Sequence, residues 1–289
     1  YADALEKKNG FRPLIILSNG YETTLVDDCG GPASLTPRGY PDRQIYGIPS
    51  RDSLNYRVKF QRERMQNPAQ LQHRPDIAGG VGREYQLEAI KAVAECFGEK
   101  RRRKALIVQA TGTGKTRVAV ALSDILMRAG FAKRVLFLCD RRELRRQAKN
   151  AFTQFLPDCN VSILTRTREP AAQVVLGTYP AMMKRFQQYD VAWFDLIIAD
   201  ESHRSIYNKY RDLFLYFDAL QIGLTATPRK RVSHNTYKMF QCGNECPTYC
   251  YEYERAIQEG TLVDFTPITV ATRFLREGIH SDQLSEEEK

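Results

Sequence analysis

Residues 105–118 read ALIVQATGTGKTRV. An apolar run gives way to a loop of glycine and threonine, and Lys-Thr then opens a helical pattern. A strand that enters TGTGKT and leaves as a helix aims successive backbone N–H groups at one concavity, where the helix dipole favours negative charge. This is a phosphate-binding loop. Gly112 and Gly114 let the backbone turn, with Thr111 and Thr113 between and beside them. Lys115 reaches the outer phosphates, and Thr116 offers a hydroxyl to Mg²⁺. The usual pattern asks for glycine or alanine at the slot filled here by Gln109.

Working outward, helices and short apolar strands alternate. Helices are expected at 84–97, 115–129, 142–155 and 180–187, and strands at 105–109, 134–139, 161–164, 174–177, 196–199 and 221–224. Strands apolar on both faces and separated by helices predict an α/β fold, a parallel sheet covered on both sides. Upstream, residues 1–8 pattern as a helix, 13–20 as a strand and 52–66 as a charged helix with Leu54, Val58 and Met65 on one side. The Pro- and Gly-rich stretches 29–50 and 75–82 read as loops.

The second chemical signal is LIIADESH, residues 196–203. An apolar strand delivers Asp200 and Glu201 to its carboxyl end, where ligands bind in open α/β sheets. Asp200 is suited to hold Mg²⁺ through water, and Glu201 to orient and deprotonate an attacking water. Two acids after a strand are commonly a solvated turn. Paired with a phosphate loop on the same sheet, they read as catalytic.

Lys and Arg total 43 against 34 Asp and Glu, a net charge of +9. The excess concentrates in KRRRK (100–104), RRELRRQAK (141–149) and RKR (229–231). Such runs are either solvated faces or the footprint of a polyanion. Seven scattered cysteines suit a reducing compartment. Cys242, Cys246 and Cys250 have even spacing but no nearby fourth ligand, so a metal reading is not favoured. No apolar run approaches the ~20 residues of a membrane span, so no membrane partner is expected. The chain begins without Met and is read as a piece of a longer protein.

In order and spacing, ATGTGKT, DESH and TATP (225–228) resemble motifs I, II and III of superfamily 2 helicases and translocases. GREYQLEAI (82–90) resembles the element upstream of motif I, which implies that Gln86 reads adenine with Arg83 nearby. FLCDRRELRRQ (137–147) resembles motif Ia and GTYPAM (177–182) the DNA-contacting segment after it. The resemblance implies that Arg141, Arg142, Arg145, Arg146, Thr178 and Arg229 hold nucleic-acid phosphates, and that His203, Thr225 and Thr227 couple the two sites.

The flanks narrow the family. YADALEKKNGFRPLIILSNGYET resembles the end of the nuclease domain of type I restriction enzyme R subunits, and YCYEYERAIQEGTLVDF (249–265) the passage leading to their second motor domain. The resemblance implies a RecA-like motor domain at 83–262, a nuclease-domain remnant at 1–28, a linker with one helix at 29–82, and the approach to motor domain 2 at 263–289. It further implies ATP and Mg²⁺ as cofactors, double-stranded DNA plus modification (M) and specificity (S) subunits as partners, and a cytoplasmic, DNA-associated setting in a bacterial or archaeal cell. Another superfamily 2 repair or RNA helicase would share the motor motifs. A nucleotide-gated nucleic-acid-binding module without hydrolysis would share them too.

Overall fold

The computed structural model describes residues 1–27, 40–61, 67–202, 210–228, 230–231 and 234–264. After helix α1 (Ala2–Asn9), strands β1 (Ile15–Ser18), β2 (Thr23–Val26) and β3 (Arg43–Ile45) form an antiparallel sheet in that order. β3 pairs with β2 through Thr24 opposite Gln44. It lies inside the segment expected to be a linker.

Helix α2 (Arg51–Asn55) begins at Ser50, whose side chain accepts from the Ser53 N–H. The expected helix over 52–66 does not persist as α-helix. It continues as a π-helix over Tyr56–Gln61, and 62–66 lie outside the described residues. Within this π-helix Arg57 turns inward and is only 8% exposed, donating to the Asp218 carboxylate and backbone carbonyl. The inward side therefore carries a charge, while Leu54 and Val58 are half-buried.

Helix α3 (Glu84–Gly98) buries Ala89, Ile90, Val93, Ala94 and Phe97, a stripe at helical spacing. Next come β4 (Lys104–Gln109), α4 (Lys115–Arg128), β5 (Val135–Cys139), α5 (Arg142–Phe155), β6 (Val161–Ile163), β7 (Val174–Thr178) and α6 (Tyr179–Met183). The helix expected at 180–187 breaks after α6 and resumes as a 3₁₀ turn at Phe186–Gln188. Phe186 there packs edge-on against Tyr216, with ring centroids 5.0 Å apart. The chain continues through β8 (Leu196–Asp200), α7 (Arg211–Tyr216), β9 (Leu220–Thr225), a ribbon of β10 (Lys230–Arg231) with β11 (His234–Asn235), and α8 (Thr236–Met239). It closes with β12 (Tyr249–Tyr251) and α9 (Tyr253–Gln258).

Seven strands form one sheet in the order β12-β4-β9-β8-β5-β7-β6, and each neighbouring pair is parallel. Alternate residues feed two cores. Ile107, Phe137 and Ile198 pack under α3, α4 and α5, while Leu106, Leu138 and Ile197 meet an aromatic layer that includes Tyr179, Phe214 and Phe217. Among the described residues no helix is long and apolar enough to cross a membrane.

The N-terminal segment is fastened to the amino-terminal edge of this sheet. Ser50 Oγ donates to Asp190 at 2.7 Å, and Ser53 bonds the same carboxylate. Asp218, just before β9, receives Arg43 at 2.6 Å, Arg103 at 2.7 Å and Arg57. Burial alone would raise the Asp218 carboxyl. Arg103, Arg57 and Arg43 outweigh it and hold the group well below the usual carboxylate range. Asp218→Asn leaves the buried guanidiniums without their counter-charge, so stability measured by urea unfolding at neutral pH should drop by about 3–5 kcal/mol. In the native chain this contribution is full above the unfolded value of roughly 4 and is lost as the pH falls through the lower folded value.

Candidate active site

Parallel pairing sets the carboxyl ends of β4, β9, β8, β5 and β7 along one edge. Val108 faces Thr225, Leu224 faces Asp200, and Cys139 faces Thr178. The phosphate loop, the acidic pair, TATP and the arginine helix all emerge there.

Below the loop, the Thr113 carbonyl accepts from Tyr85 Oη, Gln86 Nε2 and Gln109 Nε2, each at 3.0 Å. All three donor side chains are buried. Peptide planarity then turns the Gly114 N–H away from these three side chains. Gly112 and Gly114 have φ of 90° and 88°, which side chains rarely tolerate. A Cβ on Gly114 would come within 2.7 Å of Gln86 Nε2. The Lys115 ammonium donates to the Gln109 carbonyl at 3.3 Å, arched over the loop.

Gln109 thus has a role that the small residue of the usual pattern lacks: it braces the loop from beneath. Gln86 is likewise a brace. Its Oε1 accepts from the Gly79 N–H at 3.2 Å, and its exposure is 0%. Tyr85 stacks on Tyr251, with centroids 4.1 Å apart and planes 5° off parallel, and the Tyr251 carbonyl accepts from the Ala110 N–H. Edge strand β12 therefore fixes the start of the loop. A cleft of about 350 Å³ opens beside it, lined by Arg83, Gln86, Gly112, Thr113, Gly114 and Thr116 among others. Thr111 is exposed at the lip.

At the end of β8, Asp200 is 8% exposed. Burial, then the charge of Glu201, raises its carboxyl to about 6, opposed by Lys115. Glu201 sits at φ 54°, in the left-handed region, and its N–H donates to Asp200 Oδ1 at 3.1 Å. Strained backbone of this kind concentrates at functional turns. Two bonds hold the turn from either side. The Ser202 N–H donates to the Leu224 carbonyl at 3.0 Å, and Tyr179 Oη donates to the Asp200 carbonyl at 2.7 Å. Thr225 is buried, and its hydroxyl accepts from the Thr227 N–H at 3.2 Å.

Arg141, Arg142 and Arg146 are exposed and Arg145 is half-buried, all at the start of α5. Only Ala148 and Phe152 of that helix are buried, so its outer face is basic. Arg146 is paired with Glu143 at 2.7 Å. Thr178 is buried at the end of β7, directly before Tyr179. His203 and Arg229 lie outside the described residues. Sequence reading missed Tyr85, Tyr179 and Tyr251. The first two stand beside residues it did select, and that adjacency was the available signal.

A phosphate loop and an acidic pair on strands that flank β9, in a parallel sheet with two helical layers, define a P-loop NTPase domain of the RecA-like helicase class. Residues 80–230 match the family model described as "Type III restriction enzyme, res subunit" (ResIII). The chain belongs to that family. It is 35% identical over 205 residues to the type I restriction enzyme EcoAI endonuclease subunit of Escherichia coli, covering 68% of this chain and 25% of that one. With the EcoKI endonuclease subunit of Escherichia coli strain K12 it shares 35% identity over 230 residues, 68% of this chain and 19% of the relative. The chain thus spans a quarter or less of these relatives. A solved fragment described as an HsdR subunit of a type I restriction enzyme from Vibrio vulnificus YJ016 matches with a TM-score of 0.51 and 25% identity, over 90% of this chain and 45% of that one.

The electrostatics of the acidic pair can be read directly. In ¹³C-carboxyl NMR of the ligand-free chain, Asp200 should titrate near pH 6. Glu201→Gln should lower that value by removing a like charge, and Lys115→Met should raise it by removing the opposing one. Movement in the opposite directions would separate the acidic pair from the phosphate loop.

Proposed function

We propose that this chain is the first motor domain of a type I restriction R subunit, binding and hydrolysing ATP to drive duplex DNA past a complex with M and S subunits. The observation that carries this reading is the acidic pair. Asp200 and Glu201 share an edge with Lys115, and the Asp200 carbonyl is bonded to Tyr179, which follows Thr178 at the end of β7. Family membership and similarity to type I endonuclease subunits support the same reading.

The domain partition that goes with it is the end of a nuclease-like domain at 1–28, to which β3 (Arg43–Ile45) adds a third strand, a linker over the rest of 29–82, the motor domain at 83–262 and the approach to a second motor domain at 263–289. In the site, the backbone of Thr111, Gly112, Thr113 and Gly114 cradles the triphosphate and Lys115 neutralises its outer charge. Arg83 and Gln86 line the cleft on the adenine side. Thr116 and Asp200 supply the hard oxygen donors that suit Mg²⁺, which when bound neutralises phosphate charge. Glu201 orients and deprotonates the attacking water. Exposed Arg141 and Arg142 grip phosphates, a role we extend to Arg145, Arg146, Thr178 and Arg229. His203, Thr225 and Thr227 take the role of coupling the two sites. The bonds of Tyr179 and Ser202 would pass a displacement of the acidic turn to the DNA-facing segments.

Lys115→Ala should weaken ATP binding in a nucleotide titration by about 2–4 kcal/mol, the scale of losing a charge-assisted contact. In the whole protein, Glu201→Gln should retain ATP affinity yet lower duplex-stimulated turnover by roughly 10²–10⁴. Unchanged affinity in the first variant, or unchanged turnover in the second, would overturn the assignment.

Duplex affinity should fall steeply with salt, with a log–log slope near −0.9 per phosphate neutralised, and be indifferent to sequence. Arg141→Gln with Arg142→Gln should make that slope shallower by about 1 per lost contact. A slope that ignores these substitutions would place the duplex on another face.

A further inference from the structure

The KRRRK run at 100–104 has no part in the site above. It enters β4 from the amino-terminal edge of the sheet, the edge opposite the phosphate loop. There it meets β3 and the turn before β9 around a cavity of about 500 Å³. The basic residues lining this cavity are Arg43, Lys100, Arg101, Arg102, Arg103 and Lys104, and the acids are Asp42 and Asp218.

The charges do not balance. The Asp218 carboxylate is shared by three guanidiniums, those of Arg43, Arg57 and Arg103. Asp195 and Asp27 also act on Arg57, so its charge is better offset than the other two. Lys104 donates to the neutral Met239 carbonyl at 3.1 Å. Burial, and then Arg103, lower its ammonium to about 8. Arg103 itself is lowered to about 10, mainly by burial.

Among the described residues, three buried polar atoms at this place have no hydrogen-bond partner: Arg43 Nη1 and Gln221 Oε1, on residues of the cavity lining, and Tyr40 Oη just outside it. The Tyr40 ring lies 5.0 Å beneath the Arg103 guanidinium. Buried donors are almost always satisfied, and an unpartnered guanidinium N–H beside surplus positive charge has the character of an anion-recognising group. Planar guanidiniums with forked N–H groups match tetrahedral oxyanions, and the exposed Lys100 and Arg102 extend the charge to the rim.

We propose that this cavity binds a phosphate-bearing anion, at a second site distinct from the phosphate loop and at the seam between the N-terminal sheet and the parallel sheet. The shared chemistry is a phosphate oxyanion, carried either by a nucleic-acid backbone or by a free phosphorylated small molecule.

The test uses the full chain carrying Lys115→Ala, so that the phosphate loop is disabled and the outcome does not depend on the nucleotide assignment. Inorganic phosphate is titrated at constant ionic strength by calorimetry, followed by a short duplex. Saturable phosphate binding is expected. Arg43→Lys, which keeps the charge toward Asp218 and removes the orphan Nη1, should weaken it by about tenfold or more. Lys100→Gln with Arg102→Gln changes only exposed rim residues and should weaken it without disturbing the fold. Competition between duplex and phosphate, with duplex affinity reduced in the same variants, would identify a nucleic-acid backbone as the source. Phosphate binding unaffected by duplex would identify a free phosphorylated molecule. Absence of saturable binding by either probe, or binding indifferent to all three substitutions, would overturn the proposal.

Discussion

The pairing of β4 with β9 and of β9 with β8 fixes where every reactive group of this domain can stand. In a parallel sheet the side-chain period is two, so a slip of one residue would send one core layer into the other and carry the loop away from the acids. The observed register puts Val108 beside Thr225 and Leu224 beside Asp200. Phosphate loop, Thr225 and carboxylates therefore share one edge although their motifs are far apart in sequence. The central strands are buried on both faces, so their register is set by how side chains of particular size fill the two cores and not by a polar–apolar alternation.

The two edges of the sheet handle charge in opposite ways. At the carboxyl edge, Asp200 is a buried acid beside another acid, with Lys115 as the cation acting against that repulsion. At the amino edge, Asp218 is a buried acid crowded by three guanidiniums. Each arrangement costs desolvation, and neither is the cheapest way to build a core. The first suits a site that receives cation and polyphosphate together. The second fastens the N-terminal sheet to the domain through β3, α2 and the entry to β4.

Much of the carboxyl edge was legible because its chemistry is local. A phosphate loop needs glycines at two adjacent turns followed by Lys-Thr, and an acidic turn needs a buried strand before it. Both are contiguous and survive as short strings. The bracing was not legible. Thr113 is held by Tyr85, Gln86 and Gln109, which come from two segments, and Tyr251 arrives from the far end of the domain. Gln109 looked like a departure from the pattern until its side chain was seen beneath the loop. Arg57 shows the same limit at the other edge: the helical period there suggested an apolar face, and a carboxylate from a distant turn drew the arginine inward.

By itself the sequence determined the alternation of strands and helices, the parallel class of the sheet, the phosphate loop and the acidic pair, since each follows from hydrophobic period or from residues adjacent in the chain. Tertiary structure decided the order of the seven strands, the place of β12 beside β4, and the joining of Tyr179 to the Asp200 carbonyl. It also decided that β3 completes the N-terminal sheet and that KRRRK meets Arg43 and Asp218 around a cavity. These depend on long-range hydrogen bonds and on burial that removes water from charges far apart in sequence. A linear pattern does not encode the distance between residues 43 and 218; packing sets it.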